Sequence, residues 1–151
     1  MWSNYLIPST FYGPQYDLTD KHFIFDLIRK IVNAKNGGDE VVLWGDGTQT
    51  RELIFIEDAI DIMLITMGNI DAPNVCNLSS GKSHSLKTYA KTICDIVDYN
   101  YELIKWDTNA FVGSKNKKLV NTQLKGYKFT PLKKGLKKTI QYYEDSISSS
   151  K

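Results

Sequence analysis

The chain is poor in arginine, cysteine and long apolar runs, and each scarcity narrows what it can do. Of 19 basic residues only Arg29 and Arg51 are arginines. Two cysteines, Cys76 and Cys94, sit in apolar patterns and read as buried thiols, too few for a disulfide framework or a metal cluster. No apolar run approaches the ~18 residues a membrane helix needs. Residues 1–30 lack the charged-then-apolar layout of a signal peptide, so no export is indicated and the cytoplasm is the expected compartment.

What is present suits one soluble domain. At 151 residues, with 42% hydrophobic and 24% charged residues, the chain can bury about two-thirds of its unfolded surface. The net charge of +2 hides an asymmetry: nine of the 17 lysines lie between Lys115 and Lys138, an interval without Asp or Glu. Such a block suits nucleic acid, a phosphate-rich ligand or an acidic partner. It lacks the interleaved arginines and aromatic platform of a nucleic-acid surface, so a solvated face is the simpler expectation.

The pattern predicts an α+β fold of helices and short strands. A strand over Tyr5–Ile7 stops at Pro8, which cannot donate to a ladder. Thr19 or Asp20 caps a helix from Lys21 to Lys35, with Ile24, Leu27, Ile28 and Ile31 inward and Gly37-Gly38 ending it. A hairpin-like unit spans Val41 to Ile56. A second helix turns Ile56, Ala59, Ile60, Met63, Leu64 and Met67 inward and stops at Gly68. Val75–Leu78 is a strand. A third helix starts at Ser83 or Ser85 and buries Leu86, Tyr89, Ala90, Ile93, Cys94 and Val97. Tyr101 to Trp106 alternates as a strand, and residues 107–118 read as a loop. Thr130-Pro131 opens a last helix with Leu132, Leu136, Ile140, Tyr143 and Ile147 inward, and the tail from Ser148 frays.

The richest stretch runs from Val42 to Asp58. An apolar strand enters the turn Gly45-Asp46-Gly47, and the turn leads to Arg51 and a second apolar strand, Leu53 to Ile56. Arginine offers a planar donor array suited to phosphate, where lysine is closer to a point charge. With Trp44 beside it, the turn fits a phosphorylated, partly planar ligand. Equally, it fits a plain hairpin whose arginine pairs with Glu52 or Asp58.

The segment W-G-D-G-T-Q-T-R-E resembles the W-G-x-G-x-x-x-R-E-F signature of nucleotide-sugar epimerases and reductases in the extended short-chain dehydrogenase/reductase superfamily, and within it GDP-L-fucose synthase-like enzymes. The resemblance runs from about Tyr5 to about Tyr143 and covers only the back half of that family's fold. It implies a single substrate-binding domain over 1–151, in which residues 1–14 form a last Rossmann-type strand and a cofactor-facing loop. Pro8-Ser9-Thr10-Phe11-Tyr12-Gly13-Pro14 resembles the family's P-T-N-L-Y-G-P loop, whose backbone contacts the nicotinamide end of NADP; Thr10 stands where the family usually has Asn. By the same resemblance Pro8, Ser9, Thr10, Phe11 and His22 are cofactor-binding, and His22 is the acid/base residue of epimerisation. Lys30, two turns along the same helix face, with Trp44 and Arg51, would contact the GDP-sugar. His84 has no family counterpart and reads as surface.

What the family needs and this stretch does not supply is equally informative. No G-x-x-G-x-x-G follows a strand, so the phosphate turn of a dinucleotide fold is absent. The family's catalytic Tyr-x-x-x-Lys pair is expected to be missing as well, Tyr12, Tyr89, Tyr99 and Tyr101 all being read as lacking the lysine. Neither cysteine takes the place of the one that partners the histidine. The resemblance therefore implies NADP use only together with a separate NADP-binding half. An exposed first strand carrying Trp2, Tyr5, Leu6 and Ile7 favours a homo-oligomer or a partner-bound form. The remaining alternatives are the lobe of another nucleotide-sugar epimerase or dehydratase, and a non-catalytic binding module.

Overall fold

The computed structural model describes residues 5–68, 75–119, 124 and 126–149. Along the chain these form β1 (Tyr5–Pro8), β2 (Thr10–Tyr12), α1 (Phe23–Lys35), β3 (Val42–Trp44), β4 (Thr50–Phe55), α2 (Ile56–Met67), β5 (Val75–Leu78), β6 (Ser83–Ser85), α3 (Leu86–Val97), a 3-10 turn (Tyr101–Leu103), β7 (Lys105–Asp107), β8 (Asn116–Lys117) and α4 (Leu132–Ser148). The class is α+β, and among the described residues there is no complete Rossmann sheet. Trp2 lies outside them.

Three small sheets carry the strands. β1 pairs with β5 in parallel, Tyr5 opposite Val75 and Pro8 opposite Leu78. β4 is central to the second sheet: parallel to β2 and β8, antiparallel to β6. β3 pairs in parallel with β7. The hairpin expected over Val41–Ile56 is therefore corrected, because its two strands belong to different sheets and the glycine turn joins sheets rather than paired neighbours. β4 buries Glu52, Leu53, Ile54 and Phe55 in succession. A strand covered on both faces loses the polar alternation that marks a half-exposed one.

Around this framework α1, α3 and α4 pack together over a core that includes Ile24, Ile28, Ile31, Tyr89, Ile93, Leu136 and Ile140. These residues carry the 3.6-residue stripes read from the sequence. Ser85 caps α3, its Oγ accepting from Thr88 N. α1 begins at Phe23, two residues later than expected, and Asp20 Oδ1 accepts from His22 N in front of it. Thr130 does not cap α4. Its amide and hydroxyl both donate to the buried Asp58 carboxylate at 2.8 Å, tying the start of α2 to the approach to α4. The strand expected over Tyr101–Trp106 is a 3-10 turn followed by β7, and the expected loop contains β8.

One helix faces differently from its pattern. α2 buries Asp58, Ala59, Ile62 and Thr66, whereas Ile60, Leu64 and Met67, expected inside, are 48%, 62% and 79% exposed. A helix apolar nearly all round gives no unique inward face.

Gly135 in α4 lies against the hydroxyl end of buried Tyr12, where a Cβ would collide. Alanine ordinarily gains up to ~1 kcal/mol over glycine in a helix. Here Gly135→Ala is expected to destabilise instead, by about 1–3 kcal/mol from overpacking. Chemical denaturation of the two proteins measures the sign directly.

Candidate functional site

Three adjoining depressions follow the line from α1 across β4 to the β1–β2 junction. The largest, about 600 Å³, is lined by Lys21, Phe23, Asp26, Arg29, Lys30, Trp44, Gln49 and Arg51 with Phe111 and Val112 at its rim. It gathers Lys30, Trp44 and Arg51 in one place. Four cationic side chains face one carboxylate, so the cleft favours an anion. Its volume falls within the ~300–1,000 Å³ of small-molecule sites.

Arg51 owes its position to β4 and to the turn before it. Gly45 and Gly47 have φ of 80° and 72°, a region costly to residues with a Cβ, and a Cβ at Gly45 would run into Val112. Asp46 Oδ1 closes the turn by accepting from Thr48 N and Thr48 Oγ1 at 2.9 and 2.7 Å. The Arg51 guanidinium makes neither of the ion pairs considered from sequence. Nη1 donates to Thr50 O at 2.8 Å and to Ser114 O at 2.9 Å, and Nη2 to Val112 O at 3.4 Å. Glu52 is buried and accepts from Leu119 N instead, and Asp58 holds Thr130. Arg51 thus keeps its full charge on neutral partners.

Lys30 Nζ lies 3.1 Å from Asp26 Oδ2 and 3.4 Å from Val42 O. Arg29, which sequence reasoning passed over, pairs with the same carboxylate at 2.9 Å and donates to Leu18 O at 3.0 Å. It adds a further cation to the cleft wall beside Lys21, Lys30 and Arg51, and the rarity of arginine in the chain was the available signal. Trp44 is 63% exposed, a ring presented to solvent at the cleft edge.

His22 stands elsewhere. With Thr10, Phe11, Tyr12 and Gly13 it lines a second depression of about 390 Å³. His22, the residue before α1, and Lys30 within it line two different depressions. Pro8, Ser9 and Thr10 line a third, of about 240 Å³, together with Arg51, Glu52, Lys117, Lys118 and Leu119. Thr10 joins the second to the third, and Arg51 joins the third to the first. Lys117 is in register with Arg51. Nothing in the lysine-rich sequence distinguished it from Lys133, Lys134 and Lys137, which are exposed on α4.

Desolvation at the junction of loop and helix lowers the His22 pKa, Asp20 pulls it back up, and Lys117 pushes it further down. The neutral ring is favoured near pH 7. Between the folded value and the ordinary value of about 6.5 the unfolded chain binds the extra proton. The ring's contribution to stability is thus present above the unfolded value and is lost as pH falls from there through the folded value. NMR titration should place the His22 midpoint below a free imidazole, with Lys117→Ala moving it up and Asp20→Asn moving it down. A midpoint unmoved by Lys117→Ala contradicts this geometry.

His84 belongs to strand β6 opposite Arg51 rather than to a surface turn, half-buried with its ring edge toward Tyr89 at 5.7 Å. One Tyr-x-x-x-Lys spacing does occur, contrary to expectation, at Tyr101-Glu102-Leu103-Ile104-Lys105. It spans the 3-10 turn and β7, so the two side chains do not share a helix face, and Lys105 pairs with Glu40 at 2.5 Å. It does not supply the acid/base couple.

A family model described as the NAD dependent epimerase/dehydratase family matches residues 4–79, and the chain belongs to that family. GDP-L-colitose synthase of Yersinia pseudotuberculosis is 33% identical over 144 residues, covering 91% of this chain and 46% of that protein. Probable GDP-L-fucose synthase 1 of Oryza sativa subsp. japonica is 29% identical over 151 residues, covering 96% and 46%. A solved GDP-L-fucose synthetase from Naegleria fowleri bound to NADP superposes with a TM-score of 0.85 at 24% identity, covering 97% of this chain and 48% of that one. The chain spans about half the length of the curated relatives it matches.

Proposed function

We propose that this chain is the substrate-binding half of a nucleotide-sugar epimerase/reductase of the GDP-L-fucose synthase kind. The observation that carries it is the cation-rich cleft, in which Arg51, Lys30 and Arg29 stand beside the exposed Trp44 ring. A diphosphate takes the guanidiniums and lysine, and the ring packs on the flat or apolar part of the ligand. The ligand is a GDP-sugar; the identity to a colitose synthase keeps a GDP-sugar other than the fucose precursor as the second reading.

In this reading the loop Pro8–Phe11 and His22 form the nicotinamide end of an NADP site, and His22 moves the proton in epimerisation. The loop suits a ligand: Ser9 Oγ is buried and without a partner. NADP supplies the hydride chemistry, but these residues offer no turn for its pyrophosphate. A separate NADP-binding half has to provide that turn and the Tyr–Lys couple.

That half has a surface to occupy. Parallel strands occur almost only in sheets covered on both faces. Here α2 packs on Leu78 at the end of the β1–β5 pair, where Ala59 and Ile62 cluster with it, and Tyr5, Ile7 and Val75 are exposed on one face of the pair. Calorimetric titration of the chain with a GDP-sugar tests the reading. Saturable binding supports it, and no binding at millimolar ligand argues for a non-catalytic module instead.

A further inference from the structure

The buried carboxylate residue Glu52, 4% exposed, lines the third depression, and it makes no salt bridge among the described residues. Its Oε1 accepts from Gly81 N at 2.6 Å, from Ser79 Oγ and from Ser80 Oγ at 3.2 Å; its Oε2 accepts from Leu119 N at 2.9 Å. Burying a charge without a counter-ion is costly unless its lone pairs are filled. The backbone N–H groups of Gly81 and Leu119 can only donate, one to each oxygen, so the side chain has to accept at both. A carboxylate does so, whereas glutamine would turn an NH2 toward a donor.

What those bonds hold is specific. One oxygen fixes the turn after β5, and the other fixes the chain just beyond β8. The same stretch is fastened at each preceding step of β4: Lys115 O accepts from Thr50 N at 2.8 Å, Asn116 Oδ1 from Thr50 Oγ1 at 2.9 Å, and Ser114 O from Arg51. Two lysines lie between those fastenings and the Glu52 contact, and both line the depression that Ser9, Thr10 and Arg51 share. Glu52 and Leu119 line that depression too, but each Glu52 oxygen is already taken by a backbone N–H, Oε1 by Gly81 and Oε2 by Leu119.

We infer that Glu52 is a positioning residue, which clamps segment 114–119 onto β4 so that Lys117 and Lys118 stand with Arg51 as a three-cation subsite for a phosphate group of the ligand. This rests on the nucleotide-sugar reading for the ligand's identity, but not for the clamp. An anchor that merely stabilised the fold would lower the melting temperature without any special relation to the two lysines.

The test is calorimetric binding of GDP and of inorganic pyrophosphate to the parent chain, Glu52→Gln, the Lys117→Ala/Lys118→Ala pair, and the triple variant, with amide exchange at Leu119 measured alongside. Glu52→Gln should weaken binding about 10-fold and speed Leu119 exchange, the lysine pair should weaken it similarly, and the triple variant should bind like the lysine pair alone, because interacting groups are not additive. Full GDP and pyrophosphate affinity in Glu52→Gln, or an equal further loss in the lysine-free background, overturns the inference. If Glu52→Gln shows no cooperative unfolding, Ser79→Ala removes one contact and should give a smaller, equally non-additive loss. Pyrophosphate binding that depends on Glu52 without GDP binding keeps the clamp and sinks the nucleotide reading. Failure of the parent to bind either probe overturns both.

Discussion

Arg51→Ala is expected to weaken GDP-sugar binding by about 10- to 150-fold, the loss of one charge-assisted contact worth roughly 1.5–3 kcal/mol. The structure sharpens the reason. Arg51 is fixed by β4 pairing on both sides and holds only carbonyl oxygens, so its charge is uncommitted to any carboxylate. Lys30 and Arg29 share Asp26 and bring less net charge to the ligand. Arg51→Lys should recover only part of the affinity, since the planar donor array is lost. His22→Ala should bind nearly as the parent does, because His22 lines a different depression. Arg51→Ala that still binds at parental affinity, with its fold intact by circular dichroism, makes Arg51 only a strap for residues 112–114.

The second large effect concerns the outer face of α2. Leu64 and Met67 lie on a helix whose inner face already packs on Ile54 and Leu78. If the NADP-binding half of the fold docks there and over Tyr5, Ile7 and Val75, Leu64→Ser with Met67→Ser should weaken its association about 100-fold, at roughly 1.5 kcal/mol or more per apolar side chain returned to water. The same pair should leave GDP-sugar binding by the chain alone unchanged. Sedimentation with and without the added half reads both outcomes. Unaltered association means the face is not the interface, and a self-association abolished by the pair means a second copy occupies it.

How much of this was legible in the sequence depended on where each signal arises. The stripes of α1, α3 and α4 were clear because each helix buries one face only: Ile24, Ile28 and Ile31, then Tyr89 and Ile93, then Leu136 and Ile140. α2 was misread because apolar residues lie on its exposed side, Ile60, Leu64 and Met67, as well as on its buried one, Ala59 and Ile62. The hairpin was a local inference, whereas β4 pairs with strands distant in sequence on both sides. Sequence spacing is silent on such crossovers. Arg51, Trp44 and Lys30 were singled out through a family resemblance, and they line one cleft. Lys117 and Glu52 were invisible, since the first hides in a lysine-rich block and the second acts through hydrogen bonds made across 27 and 67 residues of chain.

The central claim is that this lobe binds substrate and that catalysis requires a separate NADP-binding half. Following NADPH absorbance with GDP-4-keto-6-deoxymannose, first with the chain alone and then after adding such a half, tests it most directly. No oxidation above background in the first case and turnover in the second is the predicted result. NADPH oxidation by the purified 151-residue chain on its own would contradict it.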